Sequence, residues 1–484
     1  MCTKLTMEDC FKRFQKSTGY KYQHHQEDGV VWCNERENEP FHNVYGGIVA
    51  DEMGCGKTFM MIALMICNFK PHTLIVAPVA LVNHWKQSIY DITGYTPLVY
   101  YGHNIKSCQE RYENASIVIT TYGVLAQHHK KNGQLYQRKW NRVLFDEAHH
   151  MRREKTQTFL SGKSLNSHVK WLITGTPIQN KKSDLYNLLR VLNIDTEDLS
   201  IEDISTIILK RKKITVGIEL PPLICHEVFV PWANEEEKQL SNVLHELVHI
   251  AKPVPTSDEV PAPQEETQES KTIRDKLRNY VLDVLGSFHL LYYLRARQMC
   301  ICPKLLSALE DNLYKSDIED VSIIKNAINH NNKIDNVVNV VVKNATNNHC
   351  KIIFCSFRKE MDILYEELDA YGIDVKIYDG RSSKKSRQDI LENIPKVLIL
   401  QIQMGCEGLN LQYANEIYFV GPLWNPAMEE QAIGRCYRLG QTKPTHVYKF
   451  IMSDVEEEPK VFSMDSYMTQ TMNRKKELIN EYLL

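Results

Sequence analysis

The chain has no apolar stretch able to cross a bilayer, no closely paired thiols and almost no net charge, and each lack removes a class of function. Its longest apolar run, Phe59–Cys67, falls far short of the ~20 residues a membrane helix needs. Lys4, Glu8, Asp9, Lys12 and Arg13 interrupt the beginning of the chain, so no secretory leader is read there. Thirteen cysteines are present, none in Cys-x-x-Cys spacing, and the nearest two, Cys300 and Cys302, are wrongly spaced for a zinc knuckle. Free thiols in a reducing, intracellular compartment follow, with no membrane as partner. Lys and Arg number 58 against 60 Asp and Glu, a net charge of −2. Bulk charge therefore cannot hold this protein to nucleic acid, and any such site must be a local basic surface.

What is present is the composition of a globular protein, 43% hydrophobic and 24% charged over 484 residues. Single cores stop growing near ~250–300 residues, so two or three domains are expected. Short β-branched runs alternate with helical patterns early in the chain: Gly47–Ala50, Thr73–Ala77, Ser116–Thr120, Arg142–Phe145 and Lys170–Ile173. The same rhythm returns at Lys351–Cys355, Asp374–Tyr378, Lys396–Leu400, Glu416–Val420 and His446–Ile451. Apolar runs of this length fit strands buried on both faces, which is how parallel sheets are written. The expected fold is α/β. Two parallel-sheet lobes at 1–230 and 331–452 flank a helical insertion at 231–330, and a helical C-terminal brace follows at 453–484. Within the insertion, residues 251–272 hold four prolines and several acids without an aromatic, and are expected to form a disordered loop.

The first chemical signal is Asp51-Glu-Met-Gly-Cys-Gly-Lys-Thr58, between an apolar strand and an apolar helix. A Gly-rich turn there aims backbone N–H groups and the positive helix end at a polyphosphate. Asp51, Met53, Gly54, Cys55 and Gly56 would form that cradle. Lys57 would meet the β and γ phosphates and Thr58 would meet Mg²⁺. Asp51 stands where the first glycine of the usual pattern belongs. The second signal is Arg142-Val-Leu-Phe-Asp-Glu-Ala-His149, in which two acids end a buried strand. Asp146 could cap a helix, but after a phosphate loop it reads as the Mg²⁺ ligand, with Glu147 as the base for the attacking water. The third is Glu430-Gln-Ala-Ile-Gly-Arg-Cys-Tyr-Arg-Leu-Gly-Gln441, where Arg435 and Arg438 would share one helical face and reach a γ-phosphate; a solvated basic face is the blander alternative.

In chain order, Gly46 to Thr58, Asp146-Glu-Ala-His149, Thr174-Gly-Thr-Pro-Ile-Gln-Asn180, Gly405-Cys-Glu-Gly-Leu-Asn-Leu411, Trp424-Asn-Pro426 and Gln431 to Gln441 resemble the motif series of Swi/Snf-type ATPases. These are the helicase-like DNA translocases of helicase superfamily two, including chromatin remodellers. The resemblance spans about residues 20 to 452 and implies two RecA-like lobes and the cofactors ATP and Mg²⁺. It implies that Gln26 reads the adenine, that Arg435 and Arg438 are arginine fingers, and that Gly408 and Gln431 face the nucleotide. It further implies that Thr174–Pro177 couples the ATP site to DNA, and that Pro78, Trp85, Thr120, Thr121, Ser356 and Trp424 contact DNA. Trp85 and Trp424 read equally well as core. The basic segment Lys210–Lys213 resembles the family's hinge, and Leu294–Cys300 the return toward lobe two.

Tyr437 replaces the family's usual histidine between the fingers, and Cys406 and Glu407 replace small residues in their loop; neither change removes an arginine or Gly408. No RING-like cluster and no histone-reading module is expected, and the compact form is similar to versions carried by large DNA viruses. The resemblance implies double-stranded DNA as partner, with nucleosomes or transcription or repair complexes as cargo, a monomer, and a nuclear or viral DNA compartment. A strand-separating helicase and a nucleic-acid scaffold with a decayed ATPase are the competing readings. Strand separation by a forked-duplex assay, and ATP turnover with and without duplex, discriminate them.

Overall fold

A computed structural model of the chain describes residues 6–102, 108–197, 199–250, 268–286, 289–306, 321–347, 349–405, 409–455 and 462–483. They form two compact units, one built on the chain up to Leu220 and the other on most of the chain from Pro221 onward.

The first unit holds a seven-stranded sheet: β1 Tyr45–Val49, β2 Thr73–Ala77, β3 Leu98–Val99, β4 Ile117–Thr121, β5 Trp140–Asp146, β6 Ser167–Ile173 and β7 Ile208–Leu209. The order is β3-β4-β2-β5-β6-β1-β7 and every pairing is parallel. Alternate residues feed two separate cores, with Leu74 and Val76 in one and Ile75 and Ala77 in the other. That two-sided burial is why these strands are written as unbroken apolar runs. Register matters for function: Ile173 pairs with both Val49 and Asp146, so β1, β6 and β5 end level and their following turns leave the sheet side by side. Ligand sites of open parallel sheets form at this carboxyl edge.

The second unit holds β8 Leu223–Val230, β9 Cys350–Cys355, β10 Val375–Tyr378, β11 Val397–Gln401, β12 Ala414–Phe419 and β13 Thr445–Met452, parallel in the order β10-β11-β9-β12-β13-β8. All ten strands expected from the sequence are present. The boundary expected at residue 230 lies instead between Leu220 and Pro221, because Leu223–Val230 pairs along its length with β13. The helices Glu235–Ile250, Gln268–Leu285, His289–Ile301 and Val321–Ile328 are not a free-standing insertion either. Leu244, Val281, Met299 and Ile324 share one apolar core with Ile353 and Ile399 of the second sheet. Leu294–Cys300 therefore already lies within the second unit. Of the loop expected at 251–272, residues 251–267 lie outside the described residues and the rest open the helix Gln268–Leu285. The expected C-terminal helix runs Met464–Leu483, with Met464 and Met468 in this core and Asp465 paired to buried Lys333.

Candidate nucleotide site

Three turns at the carboxyl edge of the first sheet build the site. The turn after β1 runs through Gly54 and Gly56, whose φ values of 95° and 84° lie in the left-handed region. Gly56 begins the helix Lys57–Cys67 with no side-chain cap, so the first N–H groups of that helix carry no local partner of that kind. A Cβ on Gly56 would run into Nε2 of Gln26. Lys57 Nζ donates to the carbonyls of Asp51 (2.7 Å) and Glu52 (3.3 Å), which holds its charge over the turn.

Asp51 itself does not face the cradle. Its carboxylate is fully buried and accepts from Arg211 Nε (3.0 Å) and Nη2 (2.6 Å). The neighbouring Glu52 accepts from Lys213 N at 2.8 Å and pairs with Lys213 Nζ at 3.4 Å. Backbone bonds Ala50 N to Leu209 O (2.7 Å) and Glu52 N to Arg211 O (2.9 Å) complete the strap. Two cations of the basic segment Lys210–Lys213 are therefore committed to carboxylates of the turn after β1.

The turn after β5 carries Asp146 and Glu147. Asp146 Oδ2 accepts from the Trp85 indole N–H at 2.7 Å, and Oδ1 accepts from Glu147 N at 3.0 Å. Burial first, and then the Glu147 charge, push the Asp146 carboxyl up to about 6, against the opposing pull of Trp85 and Lys57. Glu147 adopts a left-handed backbone, φ 48° and ψ 50°. A non-glycine residue held there is strained, and such strain clusters at functional sites. His149 Nδ1 stands 3.3 Å from Glu147 Oε2 and 3.4 Å from Thr174 Oγ1, which links this turn to the turn after β6. A Cβ on Gly175 would stand 3.6 Å from Lys57 Nζ, so the third turn lies against the first.

Gln26 sits on the same cradle. Its Nε2 donates to Cys55 O at 3.4 Å, and the adjacent His25 Nε2 lies 2.9 Å from that oxygen. Its helix, His24–Asn38, is pinned by buried Glu37, which accepts from Arg142 Nε (2.6 Å), Trp171 Nε1 (2.9 Å) and Asn68 Nδ2 (2.8 Å). Cys55 is buried, and burial pushes its thiol up to about 11. It is thus a packing residue of the cradle.

In the second unit, Gln431 is buried on the helix Pro426–Cys436. That helix ends one residue after Arg435, so Arg438 lies beyond it and the two arginines do not share a helical face. They remain close enough that Arg435, after burial, lowers the Arg438 pKa. Gln441 fixes this end of the helix, donating to the carbonyls of Gln412 (2.9 Å), Ala414 (3.2 Å) and Cys436 (3.3 Å) and accepting from Asn415 Nδ2 (2.9 Å). Gly408 lies outside the described residues.

The residues expected at DNA divide. Trp85 and Thr120 are fully buried, the latter donating to Tyr100 O at 2.9 Å. Thr121 is buried as well, its hydroxyl capping the helix Tyr122–Lys131 by accepting from Val124 N at 3.3 Å. The polar side-chain atoms of all three are thus engaged inside the first unit, which for Trp85 agrees with its reading as core. Pro78, Ser356 and Trp424 are partly exposed, each following the carboxyl end of a strand. Ser356 Oγ accepts from Arg297 Nη2 at 2.6 Å, and Trp424 meets Tyr467 edge-on at 6.0 Å.

A glycine-rich turn carrying Lys57, a buried Asp146 followed by half-buried Glu147 at the end of β5, and a second parallel-sheet lobe carrying Arg435 and Arg438 are the features of a two-lobed nucleoside-triphosphate hydrolase. Residues 25–200 match the SNF2-related domain and residues 332–440 the helicase conserved C-terminal domain, and the chain belongs to the Swi/Snf-type, helicase-like ATPases of superfamily two. It is similar to a probable global transactivator of Orgyia pseudotsugata multicapsid polyhedrosis virus, 28% identical over 94% of this chain and 90% of that protein. It is also similar to the ATP-dependent DNA helicase DDM1 of Arabidopsis thaliana, 25% identical over 92% of this chain and 61% of that longer protein. Among solved structures, the Hef helicase domain of Pyrococcus furiosus shares the fold, 16% identical with a TM-score of 0.53 over 89% of this chain and 95% of that one.

Proposed function

We propose that the chain is a DNA-dependent ATPase that couples hydrolysis to translocation along double-stranded DNA, acting as a monomer and displacing or remodelling DNA-bound proteins. The observation that supports it best is the division of the hydrolytic set. Lys57, Thr58, Asp146 and Glu147 belong to one compact unit and Arg435 and Arg438 to the other. Hydrolysis that needs both sets is slow until the units approach, and a duplex that favours approach becomes an activator. Similarity to an ATP-dependent DNA helicase and to a probable viral global transactivator agrees with action on DNA.

In this reading Lys57 and the turn's N–H groups bind the phosphates, and Glu147 orients and deprotonates the attacking water. Asp146 and Thr58 hold Mg²⁺, which when bound neutralises charge on the phosphates. The residues fit that ion: a buried carboxylate next to a second acid gains from a divalent cation. Pro78, Ser356 and Trp424 are the DNA contacts proposed from strand ends, where sequence-independent sugar-phosphate contacts suit tracking.

ATP turnover without nucleic acid and with single-stranded DNA, double-stranded DNA and RNA tests the proposal. Stimulation by duplex DNA, with displacement of a third strand from a triplex but no unwinding of a forked duplex, is expected. Efficient fork unwinding would replace translocation by strand separation.

A further inference from the structure

We infer that Trp85 is a positioning residue for the cation-binding carboxylate: its indole N–H fixes the orientation of Asp146 and thereby the site's affinity for Mg²⁺. The inference rests on the assignment of Asp146 under the proposed function. Trp85 lies on the helix Val79–Thr93, which follows β2, and β2 pairs directly with β5, the strand that ends in Asp146. Both partners are buried and the Nε1–Oδ2 distance is 2.7 Å, at the short end for a nitrogen donor and typical of a charged acceptor.

With Glu147 N on the other oxygen at 3.0 Å, the carboxylate is held from both sides and cannot rotate without breaking a bond. Each oxygen keeps a further acceptor position, which is what a ligand to a hard cation needs. The other two fully buried tryptophans use their indole N–H differently: Trp140 donates to Leu135 O (2.9 Å) and Trp171 to the structural carboxylate of Glu37 (2.9 Å). Of these three, Trp85 alone donates to the carboxylate that the hydrolytic reading uses.

The test separates hydrogen bonding from shape. In the full chain Trp85 is replaced by β-(3-benzothienyl)alanine, which keeps the ring outline and lacks the N–H; Trp85→Phe serves if that protein does not fold. Binding of a fluorescent, non-hydrolysable ATP analogue is titrated with and without Mg²⁺, beside thermal unfolding. In the wild type Mg²⁺ tightens binding. In the isostere, affinity without Mg²⁺ is unchanged, while the Mg²⁺ concentration giving half of the gain rises about tenfold or more, as for loss of an outer-shell partner. Identical Mg²⁺ titrations in the two proteins would overturn the role of Trp85 alone. Equal loss of affinity with and without Mg²⁺ would also overturn it, because packing then explains the effect. A wild type indifferent to Mg²⁺ would instead overturn the assignment of Asp146, and the inference with it.

Discussion

The Arg211 guanidinium grips the Asp51 carboxylate through two hydrogen bonds of 3.0 and 2.6 Å, and so ties the segment leaving the first sheet to the glycine-rich turn after β1. Asp51 occupies the place of the first glycine in the usual phosphate-loop pattern, and the pairing gives the substitution a purpose. The buried carboxylate anchors the turn to the segment that leaves the sheet. Arg211 Nη1 also donates to His25 O at 2.5 Å, so one side chain joins the exit segment, the phosphate turn and the helix of Gln26.

Breaking that pair is therefore predicted to be costly. Arg211→Met leaves the Asp51 charge buried without its partner, at about 3–5 kcal/mol. Adding Asp51→Asn removes the charge as well, so the double variant recovers part of the loss. Denaturant unfolding of the wild type, both singles and the double gives the coupling; additive losses would show that the two side chains do not depend on one another.

Substitutions at the acid pair and the lysine act on different steps. Glu147→Gln keeps the shape of the residue and removes its basicity, so nucleotide binding persists while turnover falls by at least about 100-fold. Lys57→Ala abolishes turnover through lost contact with the phosphates. Single-turnover hydrolysis and nucleotide binding, measured together, check both. Wild-type turnover in Glu147→Gln would remove Glu147 from the role of base.

Gly56 is predicted to tolerate no side chain. Alanine there meets a left-handed φ of 84°, which costs about 1–2 kcal/mol, and its Cβ displaces Gln26. Nucleotide affinity should fall by about tenfold, the equivalent of ~1.4 kcal/mol. In a Gln26→Ala background the further loss from Gly56→Ala should shrink, because the steric partner is gone. An undiminished loss in that background would assign the whole effect to backbone strain.

The strands and the phosphate turn were legible because their signals are local: β-branched runs between turns, and glycine, lysine and threonine in immediate succession. What escaped depends on partners far apart in the chain. Arg211 reads as one cation of four until Asp51, 160 residues upstream, is found against it. Thr120 and Thr121 end a strand and Trp85 lies on the helix Val79–Thr93, and their polar atoms turn inward to Tyr100 O, Val124 N and Asp146. Strand Leu223–Val230 was missed for another reason. An edge strand is half solvated, and His226 and Glu227 interrupt the apolar run that marks its neighbours. The helices of 231–330 showed their period but not their partners, so their fusion with the second sheet's core was not readable.

Glu360 supplies a test by pH that is independent of the nucleotide. It is fully buried at the start of the helix Arg358–Ala370, where Oε2 accepts from Ser356 N and Phe357 N, both at 2.9 Å. Burial raises its carboxyl from 4.5 to about 7, against the opposing pull of those amides, Arg297 and Lys333; the Cys355 thiol also faces it. The native state thus keeps this proton to a higher pH than the unfolded chain does. The protonated side chain contributes stability that is complete below about 4.5 and disappears as the pH rises through about 7, a change of about 3 kcal/mol. Glu360→Gln cannot titrate and can still accept both amide bonds. The unfolding free energy of the second unit, followed by denaturant from pH 5 to 8, should therefore lose this downward slope in the variant. Parallel curves for variant and wild type would mean that Glu360 titrates alike in the folded and unfolded chain, and that burial does not govern its proton.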